Sequence, residues 1–350
     1  MTRVLIVGCG GIGGVLAASL GQLHALDASV LPRPTVLSRN AAIAEAVRER
    51  GVRMRGVGGP IDSAVDVVGD PADLDDRYDL ILLATQPPQV EAAALSVADR
   101  LADDGAVVCL QNGLCEERLA GHLGADRVLG AVVSWGASAV EPGLIERTSS
   151  GGFVLGRLDG AADDPRLRSL ETLLSTVGPV RISTNLRGAR WSKLAINAAI
   201  STLGTIGGDR LGALMRHAFV RRLALEIMTE TVAVAQAEQV TLEKVNGTLD
   251  LPWLALTETE RGAGSPTLVA KHAILLAVGS RYRKLRSSML LAIERGREPA
   301  VDFLNGEIVD RGARHGIPTP VNSAARDLVH AIAQGRTQSS VETLRGLTRG

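Results

Sequence analysis

Three polar residues stand four positions apart in one apolar stretch of the chain. They are Lys193, Asn197 and Ser201, and we call them the polar stripe; most of their neighbours in residues 191–206 are aliphatic. A spacing of four places side chains on one face of a helix, one above the other. Because an unpaired amide or ammonium is costly to bury, the polar stripe should face a partner, water or a ligand.

The lysine of the polar stripe indicates what chemistry it could supply. Lysine occurs only four times among 38 basic residues, so its use at position 193 favours a role for a compact, titratable ammonium. A structural role is the alternative. In that case Lys193 reaches solvent from the start of a helix, and Asn197 is hydrogen-bonded within the fold. The segment alone leaves both interpretations open.

A glycine-rich turn follows the first apolar run of the chain. Residues 3–7 read RVLIV, which predicts a buried strand, and residues 15–23 have helical character. Strand, G-x-G-x-x-G and helix in this order are typical of dinucleotide binding, in which the helix N-terminus receives the pyrophosphate. The cofactor-binding residues predicted in this turn are Gly8, Cys9, Gly10, Gly11, Ile12 and Gly13.

The end of the second predicted strand indicates which dinucleotide binds. A site specific for NAD would carry an acidic residue there for the ribose 2′-hydroxyl, whereas this chain has Ser38-Arg39-Asn40. An arginine suits a 2′-phosphate through a charged, bidentate contact. Arg39 therefore predicts NADP(H) as the cofactor, with an ordinary surface arginine as the alternative.

A further polar residue follows a later strand. Residues 106–110 read AVVCL and end at Gln111-Asn112-Gly113. Ligands of open parallel sheets lie beyond the carboxyl ends of the strands. Asn112 is therefore expected beside nicotinamide or substrate, although an asparagine before glycine also forms turns.

Composition excludes several classes of function. The formal net charge is zero, with 38 basic and 38 acidic residues, which argues against binding nucleic acid or a membrane surface through bulk charge. The three cysteines show no pairing pattern, and no two histidines have metal-ligand spacing. We expect reduced cysteines, no metal site and a cytoplasmic location.

The order of predicted elements divides the chain in two. Strands and helices alternate over residues 1–186, and long helices dominate residues 187–350, so we predict an α/β Rossmann domain followed by an all-α domain. Within the first, we expect a hairpin inserted in the sheet at 52–68, and antiparallel strands completing the sheet at 128–133, 143–148 and 152–156. Within the second, we expect a helix at 242–257, a flexible loop at 258–266 and a mobile tail at 334–350.

The sequence resembles the ketopantoate reductases (2-dehydropantoate 2-reductases) over nearly its whole length. The matching blocks, in order along the chain, are GCGGIG, LQNG, WSKLAIN, RSSML, VDFLNG and HGIPTP. The resemblance implies a C-terminal domain of the 6-phosphogluconate dehydrogenase-like type and NADPH bound between the domains. It also implies reduction of a 2-oxo acid to a 2-hydroxy acid, a step of pantothenate biosynthesis.

Residue roles follow from the same resemblance. Lys193 matches the family's general acid, which protonates the carbonyl oxygen as hydride arrives. Asn112 matches an asparagine beside nicotinamide and substrate, and Asn197 one that orients the substrate. Ser288 matches the serine that binds the substrate carboxylate.

The chain departs from the family pattern at four places. Ala300 stands where the family has a glutamate that engages substrate, and Ser201 where a second helix asparagine is common. Gln86 replaces a lysine of the loop that lines the cofactor site. Additional residues also lie between Val240 and Ser287.

These departures leave three hypotheses. The first is an NADPH-dependent reductase of ketopantoate or a related small carbonyl compound. The second is a reductase of another ketone or of an imine, in which Ala300 makes room for a different substrate. The third is a nucleotide-binding homologue without redox activity. Stereochemistry stays open, as does the choice between a monomer and a homodimer.

Overall fold

The protein was analysed as a computed structural model that describes residues 1–245, 249–262 and 264–348. The chain forms two compact units. The first unit comprises Met1–Gln111 and Cys115–Leu186, and the second comprises Asn112–Leu114 and Arg187–Gly350. The short segment Asn112–Leu114 therefore packs with the helical unit, although it follows a strand of the first. Parts of the predicted loop at 258–266 and of the predicted tail fall outside the described residues.

The first unit carries all the strands found in the described residues. They are β1 (Val4–Val7), β2 (Thr35–Leu37), β3 (Val52–Gly56), β4 (Ile61–Ser63), β5 (Asp66–Val68), β6 (Tyr78–Leu83), β7 (Leu101–Cys109), β8 (Val128–Val133), β9 (Ala137–Glu141), β10 (Leu144–Arg147), β11 (Phe153–Arg157) and β12 (Val180–Ile182). Its helices are α1 (Gly11–Leu26), α2 (Ala41–Arg50), α3 (Val90–Leu95), α4 (Cys115–Leu123) and α5 (Pro165–Leu174).

The main sheet of this unit has the order β12-β11-β8-β7-β6-β1-β2-β5. Strands β5, β2, β1, β6, β7 and β8 are parallel, and β11 runs antiparallel to β8. Every residue of β1 and β8 is buried, as the apolar runs predict for strands covered on both faces. The unit is thus the α/β fold expected of a Rossmann domain, with β1 central and the carboxyl ends of β2, β1 and β6 side by side.

Two expectations about the sheet were wrong. The hairpin of β3 and β4 is not inserted in the main sheet but belongs to a separate four-stranded sheet of order β4-β3-β10-β9. The predicted strand at 143–148 also lies in that sheet, as β10, which pairs in parallel with β3. The segments at 128–133 and 152–156 do pair antiparallel in the main sheet, as β8 and β11, while β8 itself runs parallel to β7. Pairings between distant segments decide these placements, and local hydrophobic patterns do not record them.

The second unit is helical throughout its described residues. Its helices are α6 (Leu186–Gly207), α7 (Leu211–Leu214), α8 (Ala218–Ala237), α9 (Leu251–Leu254), α10 (Glu258–Gly262), α11 (Pro266–Arg281), α12 (Ser288–Glu294), α13 (Asn305–His315), α14 (Pro320–Ala333) and α15 (Val341–Gly346). A 3₁₀ turn at Ala300–Phe303 precedes α13. Helix α6 contributes Trp191, Leu194, Leu203 and Ile206 to the buried core.

A chain of buried polar groups fixes α6 against α13, α14 and α8. Thr202 donates to Oδ1 of Asn305 at 2.5 Å, and Nδ2 of Asn305 donates to Oδ1 of Asn322 at 2.9 Å. Asn322 in turn donates through Nδ2 to Glu230 at 2.6 Å. Burial raises the pKa of Glu230, against the opposing effect of these hydrogen bonds. Since each member has a partner, the network orients α6 without an uncompensated polar group.

Predictions for the remaining helical segments were partly wrong. Of the helix expected at 242–257, residues 246–248 lie outside the described residues. The described part contains one helical turn, α9, which follows its N-cap Asp250 and carries Pro252 in its first turn. Residues of the predicted loop at 258–266 form α10, and the predicted tail contains α15. Across the described part of the chain, every helix is too short or too polar to cross a bilayer.

Candidate active site

The glycine turn between β1 and α1 has the geometry that pyrophosphate binding requires. Gly8 has φ +98°, a backbone conformation that side chains rarely adopt, and a Cβ on Gly13 would collide with the carbonyl oxygen of Gly8. A Cβ on Gly10, by contrast, would meet nothing within 4 Å. Gly10 also caps α1 without any side-chain hydrogen bond, so the helix N-terminus stays open to an anion. The turn therefore fits a dinucleotide.

The other residues of the turn pack against protein. A Cβ on Gly11 would collide with the carbonyl oxygen of Ala137, and Ile12 packs against the core of the first unit. Cys9 is buried, and burial raises the pKa of its thiol to about 12, so it remains neutral. Gly11, Ile12 and Cys9 are thus constrained by packing within the first unit.

Arg39 and Gln86 lie at the same edge of the sheet as this turn. Arg39 follows β2 directly and precedes Asn40, whose side chain caps α2 by accepting from the backbone N–H of Ile43 at 3.1 Å. The Arg39 side chain is exposed and forms no ion pair within the described part of the chain. Gln86 follows β6 and is also exposed. Both residues are therefore accessible beside the glycine turn.

Helix α6 carries the polar stripe on a half-buried face. Lys193, Asn197 and Ser201 are each partly exposed, while Leu194, Ala195, Ala198 and Ala199 between them are buried. The Nδ2 atom of Asn197 is excluded from solvent and has no hydrogen-bond partner among the described residues. Such an orphaned donor costs about 1–3 kcal/mol. It is the expected state of an amide whose acceptor is a ligand.

Two adjacent serines have different positions at the start of α12. Ser287 is buried, caps the helix and donates through Oγ to the carbonyl oxygen of Ser201 at 2.8 Å. Ser288 is exposed, and its hydroxyl forms no hydrogen bond to a described residue. Ser287 therefore ties α12 to the polar stripe and leaves Ser288 accessible nearby. Sequence reasoning missed Ser287, although a serine before an apolar run is a typical helix cap.

Asn112 is part of the helical unit because the two residues that follow it, Gly113 and Leu114, pack there. Gly113 has φ +94°, and a Cβ there would collide with the carbonyl oxygen of Phe303. Leu114 is part of the same core as α6. The close approach of Gly113 to the 3₁₀ turn thus anchors Asn112, which is partly exposed, in the unit that carries Lys193 and Asn197.

Comparison with known proteins identifies the family. A model of ketopantoate reductase PanE/ApbA matches residues 4–160, and a model of the C-terminal region of the same family matches residues 185–333. The chain belongs to the ketopantoate reductase family. It is therefore an oxidoreductase that acts on a CH–OH or C=O group, with a nicotinamide dinucleotide as cofactor.

Individual relatives match this chain over almost its full length. A 2-dehydropantoate 2-reductase from Halobacterium salinarum is 28% identical over 330 residues, which cover 93% of this chain and 97% of the relative. A ternary structure of D-mandelate dehydrogenase with NADH and anilino(oxo)acetate has a TM-score of 0.79 at 21% identity, covering 95% and 99% of the two chains. A dimeric ketopantoate reductase from Staphylococcus aureus has a TM-score of 0.70 at 19% identity, covering 96% and 100%. The two structures share the fold of this ketopantoate reductase family member.

Ala300, for which the resemblance implies a glutamate in the family, lies at the start of the 3₁₀ turn. Asp302 lies two residues further on, but Nε of Arg326 donates to it at 2.6 Å and Nε2 of His330 lies 3.1 Å away. Burial opposes ionisation of Asp302, yet these hydrogen bonds hold its pKa below the usual range. Glu298, the other acidic residue near Ala300 in sequence, is exposed. The carboxylate of Asp302 is thus already hydrogen-bonded to Arg326 and His330.

The described residues contain no group of three histidine, cysteine or acidic side chains able to hold a metal ion. Within the helical unit, the structure places Lys193, Asn197 and Ser201 on one face, with Ser288 linked to it through Ser287. Within the first unit, it places the glycine turn, Arg39 and Gln86 at one edge of the sheet.

Proposed function

We propose that this protein is an NADPH-dependent reductase of a 2-oxo acid, with reduction of 2-dehydropantoate to pantoate as the nearest known reaction. The observation that carries the proposal is the polar stripe of α6, in which the orphaned Nδ2 of Asn197 lies one turn from Lys193. A structural asparagine would have a partner within the fold. An asparagine that donates to a substrate oxygen has none until the substrate binds.

Each residue of the site has a distinct task in this reaction. Bound NADPH supplies the hydride that adds to the carbonyl carbon. The Lys193 ammonium donates a proton to the carbonyl oxygen, a contribution worth roughly 10²–10⁴-fold in rate. Asn197 donates its Nδ2 hydrogen to the substrate and holds the carbonyl in line with the lysine. Asn112, Ser201 and Ser288 complete the contacts, with the Ser288 hydroxyl donating to the substrate carboxylate.

The cofactor contacts follow from the open side of the glycine turn. The backbone at Gly10 and the N-terminus of α1 would hold the pyrophosphate. The exposed guanidinium of Arg39, which has no acidic partner among described residues, would bind the 2′-phosphate that distinguishes NADPH from NADH. Gln86 would line the same site from the end of β6.

A second candidate function is reduction of a different ketone or of an imine. The observation that favours it is Ala300, because Asp302, two residues further on, is paired with Arg326 and His330. The similarity in fold to a D-mandelate dehydrogenase supports a 2-oxo acid with an apolar substituent. A homologue without redox activity is the third candidate. The site offers it no support, since Lys193 and Asn197 are both retained.

An NADPH-oxidation assay separates these candidates. Purified protein is supplied with ketopantoate, benzoylformate, a panel of other 2-oxo acids and ketones, and cyclic imines. Turnover of ketopantoate at about 1–10³ per second supports the first candidate. Turnover confined to another substrate supports the second. Absence of turnover on every compound, with NADPH still bound, would remove both.

We also propose that the protein forms a homodimer, as its relative from Staphylococcus aureus does. Light scattering coupled to size-exclusion chromatography measures this directly. A mass equal to one chain of 36.6 kDa at micromolar concentration would contradict the proposal.

A further inference from the structure

The helical unit contains a second group of cations, away from the polar stripe. Arg210, Arg216, Arg283 and Lys284 line one open cavity of about 560 Å³, which we call the basic cavity. Asp209 is the only acidic residue in its lining. All five side chains are exposed. The lining therefore carries an excess of three positive charges in a protein whose formal net charge is zero.

The four cations of the basic cavity lack acidic partners, unlike many arginines of this chain. Elsewhere, Arg222 pairs with Glu226 at 2.8 Å and Arg326 with Asp302 at 2.6 Å. No ion pair among described residues involves any of the four. Like charges gathered around one cavity repel each other and raise the local positive potential. A multiply charged anion would relieve that repulsion.

Backbone contacts hold the two walls of the basic cavity together. One wall is α7 with the preceding residues, and the other is the end of α11 with the residues that follow. The backbone N–H of Leu211 donates to the carbonyl oxygen of Leu285 at 2.9 Å. A Cβ on Gly212 would lie 2.7 Å from Cα of Arg283, so only glycine permits this approach. The spacing of the cations is thus set by the fold rather than by flexible side chains alone.

The lining also indicates the size and character of the ligand. Leu276, which is 45% exposed, and Ala213 form an apolar part of the wall. The volume lies in the range of small-molecule sites, about 300–1,000 Å³, and exceeds what an inorganic phosphate needs. Arginine forks match phosphate oxygens in a bidentate manner.

We propose that the basic cavity binds an organic diphosphate, with the diphosphate on Arg210, Arg216, Arg283 and Lys284 and the organic part against Leu276 and Ala213. The site is separate from the proposed general acid. Helix α6 rises about 1.5 Å per residue, so its end at Gly207, next to the cavity, lies roughly 20 Å from Lys193. The proposal does not depend on the proposed reductase activity.

Isothermal titration calorimetry tests the proposal with two probes, inorganic pyrophosphate and ADP, at low ionic strength. The test variant is Arg216→Gln/Arg283→Gln. Its matched control is Arg295→Gln/Arg297→Gln, which removes two exposed arginines of the same unit that form no ion pair with described residues. Gly10→Asp is a third variant, because either probe could also bind at the glycine turn: a Cβ at position 10 meets nothing within 4 Å, and a carboxylate there would repel a diphosphate.

We expect both probes to bind the wild-type protein, with ADP bound more tightly because of the apolar wall. The test variant should bind ADP at least tenfold more weakly, while the affinities of the control and of Gly10→Asp stay within twofold of the wild type. Circular dichroism confirms that each variant is folded. The proposal is overturned if neither probe binds, if the test and control variants weaken binding equally, or if only Gly10→Asp removes it.

Discussion

Asp302 accepts a 2.6 Å hydrogen bond from Nε of Arg326, and this contact decides how the missing glutamate at position 300 is interpreted. The two residues join the 3₁₀ turn to α14, and His330 completes the cluster from one turn further along the helix. Because Asp302 is engaged there, it is not available to take the place of the glutamate that the resemblance implies at position 300. Under the proposed function, the substrate would therefore meet the neutral side chain of Ala300 rather than a carboxylate.

Ala300→Glu should raise activity on ketopantoate. A restored hydrogen bond to a charged group is worth about 1.5–3 kcal/mol, so kcat/KM should increase roughly ten- to hundredfold. Steady-state NADPH oxidation measures the change, with Ala300→Gln as the uncharged control. If neither variant gains activity on ketopantoate, the alanine is not what determines substrate choice.

Lys193→Ala should remove the proton donor. We expect kcat on the best substrate to fall by about 10²–10⁴-fold, with little change in NADPH affinity. Lys244→Ala is the matched control, since Lys244 is exposed and its Nζ lies 3.8 Å from the carboxylate of Asp250. Activity that survives Lys193→Ala within a few-fold would exclude Lys193 as the general acid.

Arg39→Ala should alter the choice of cofactor. Loss of a charged contact to the 2′-phosphate should raise KM for NADPH by about tenfold or more and leave KM for NADH unchanged. Arg48→Ala, on the exposed side of α2, serves as control. Equal KM effects on both cofactors, or equal efficiency of the wild-type protein with both, would contradict the assignment to NADPH.

Asn197→Leu should separate stability from activity. Since Nδ2 of Asn197 is buried without a partner, its removal should raise the free energy of unfolding by about 1 kcal/mol. The same substitution should lower kcat/KM by at least tenfold, because the substrate loses a donor.

Asn305→Leu is the contrasting variant. It breaks bonds to Thr202 and Asn322 and should lower the free energy of unfolding by about 2 kcal/mol or more. Thermal unfolding of both variants checks this, and a destabilised Asn197→Leu would indicate a structural asparagine.

Lys271→Met should destabilise the helical unit through a buried ion pair. Nζ of Lys271 donates to Glu260 at 2.6 Å and to the carbonyl oxygen of Ala255 at 2.8 Å, and the two side chains are only 2% and 4% exposed. Breaking such a pair from one side costs about 3–5 kcal/mol, so the unfolding midpoint should fall by roughly 6–20 °C. The double variant Lys271→Met/Glu260→Gln removes both charges and should recover part of that loss.

The same pair predicts a dependence of stability on pH. The hydrogen bond from Lys271, followed by the backbone N–H of Thr257, lowers the pKa of Glu260 from 4.5 to about 2. Because the folded value lies below the unfolded one, the contribution is complete above pH 4.5 and is lost as the pH falls toward 2. Denaturant titrations at pH 7 and pH 3 should therefore show a smaller pH effect in the double variant than in the wild type.

The fold class of the first unit and the polar stripe could be predicted from sequence, because the residues that indicate each of them lie close together in the chain. Strand β1, the glycine turn and α1 follow each other directly, so their order and the fold class of the first unit could be inferred from residues 3–23. The polar stripe was visible because Lys193, Asn197 and Ser201 share one helix face at a local spacing of four. Both inferences depend on backbone periodicity, which acts over one or two turns.

Tertiary structure alone decided which of these groups have partners. The parallel pairing of β3 with β10 joins residues 53 and 144, and no local pattern records it. Likewise, only the packing of α12 on α6 shows that Ser287 is bonded to Ser201 while Ser288 is exposed. The orphaned amide of Asn197 and the commitment of Asp302 to Arg326 depend on contacts between residues far apart in the chain. Hydrogen-bond satisfaction is a property of such contacts, so the sequence determined which groups could react and the fold determined which of them remain available.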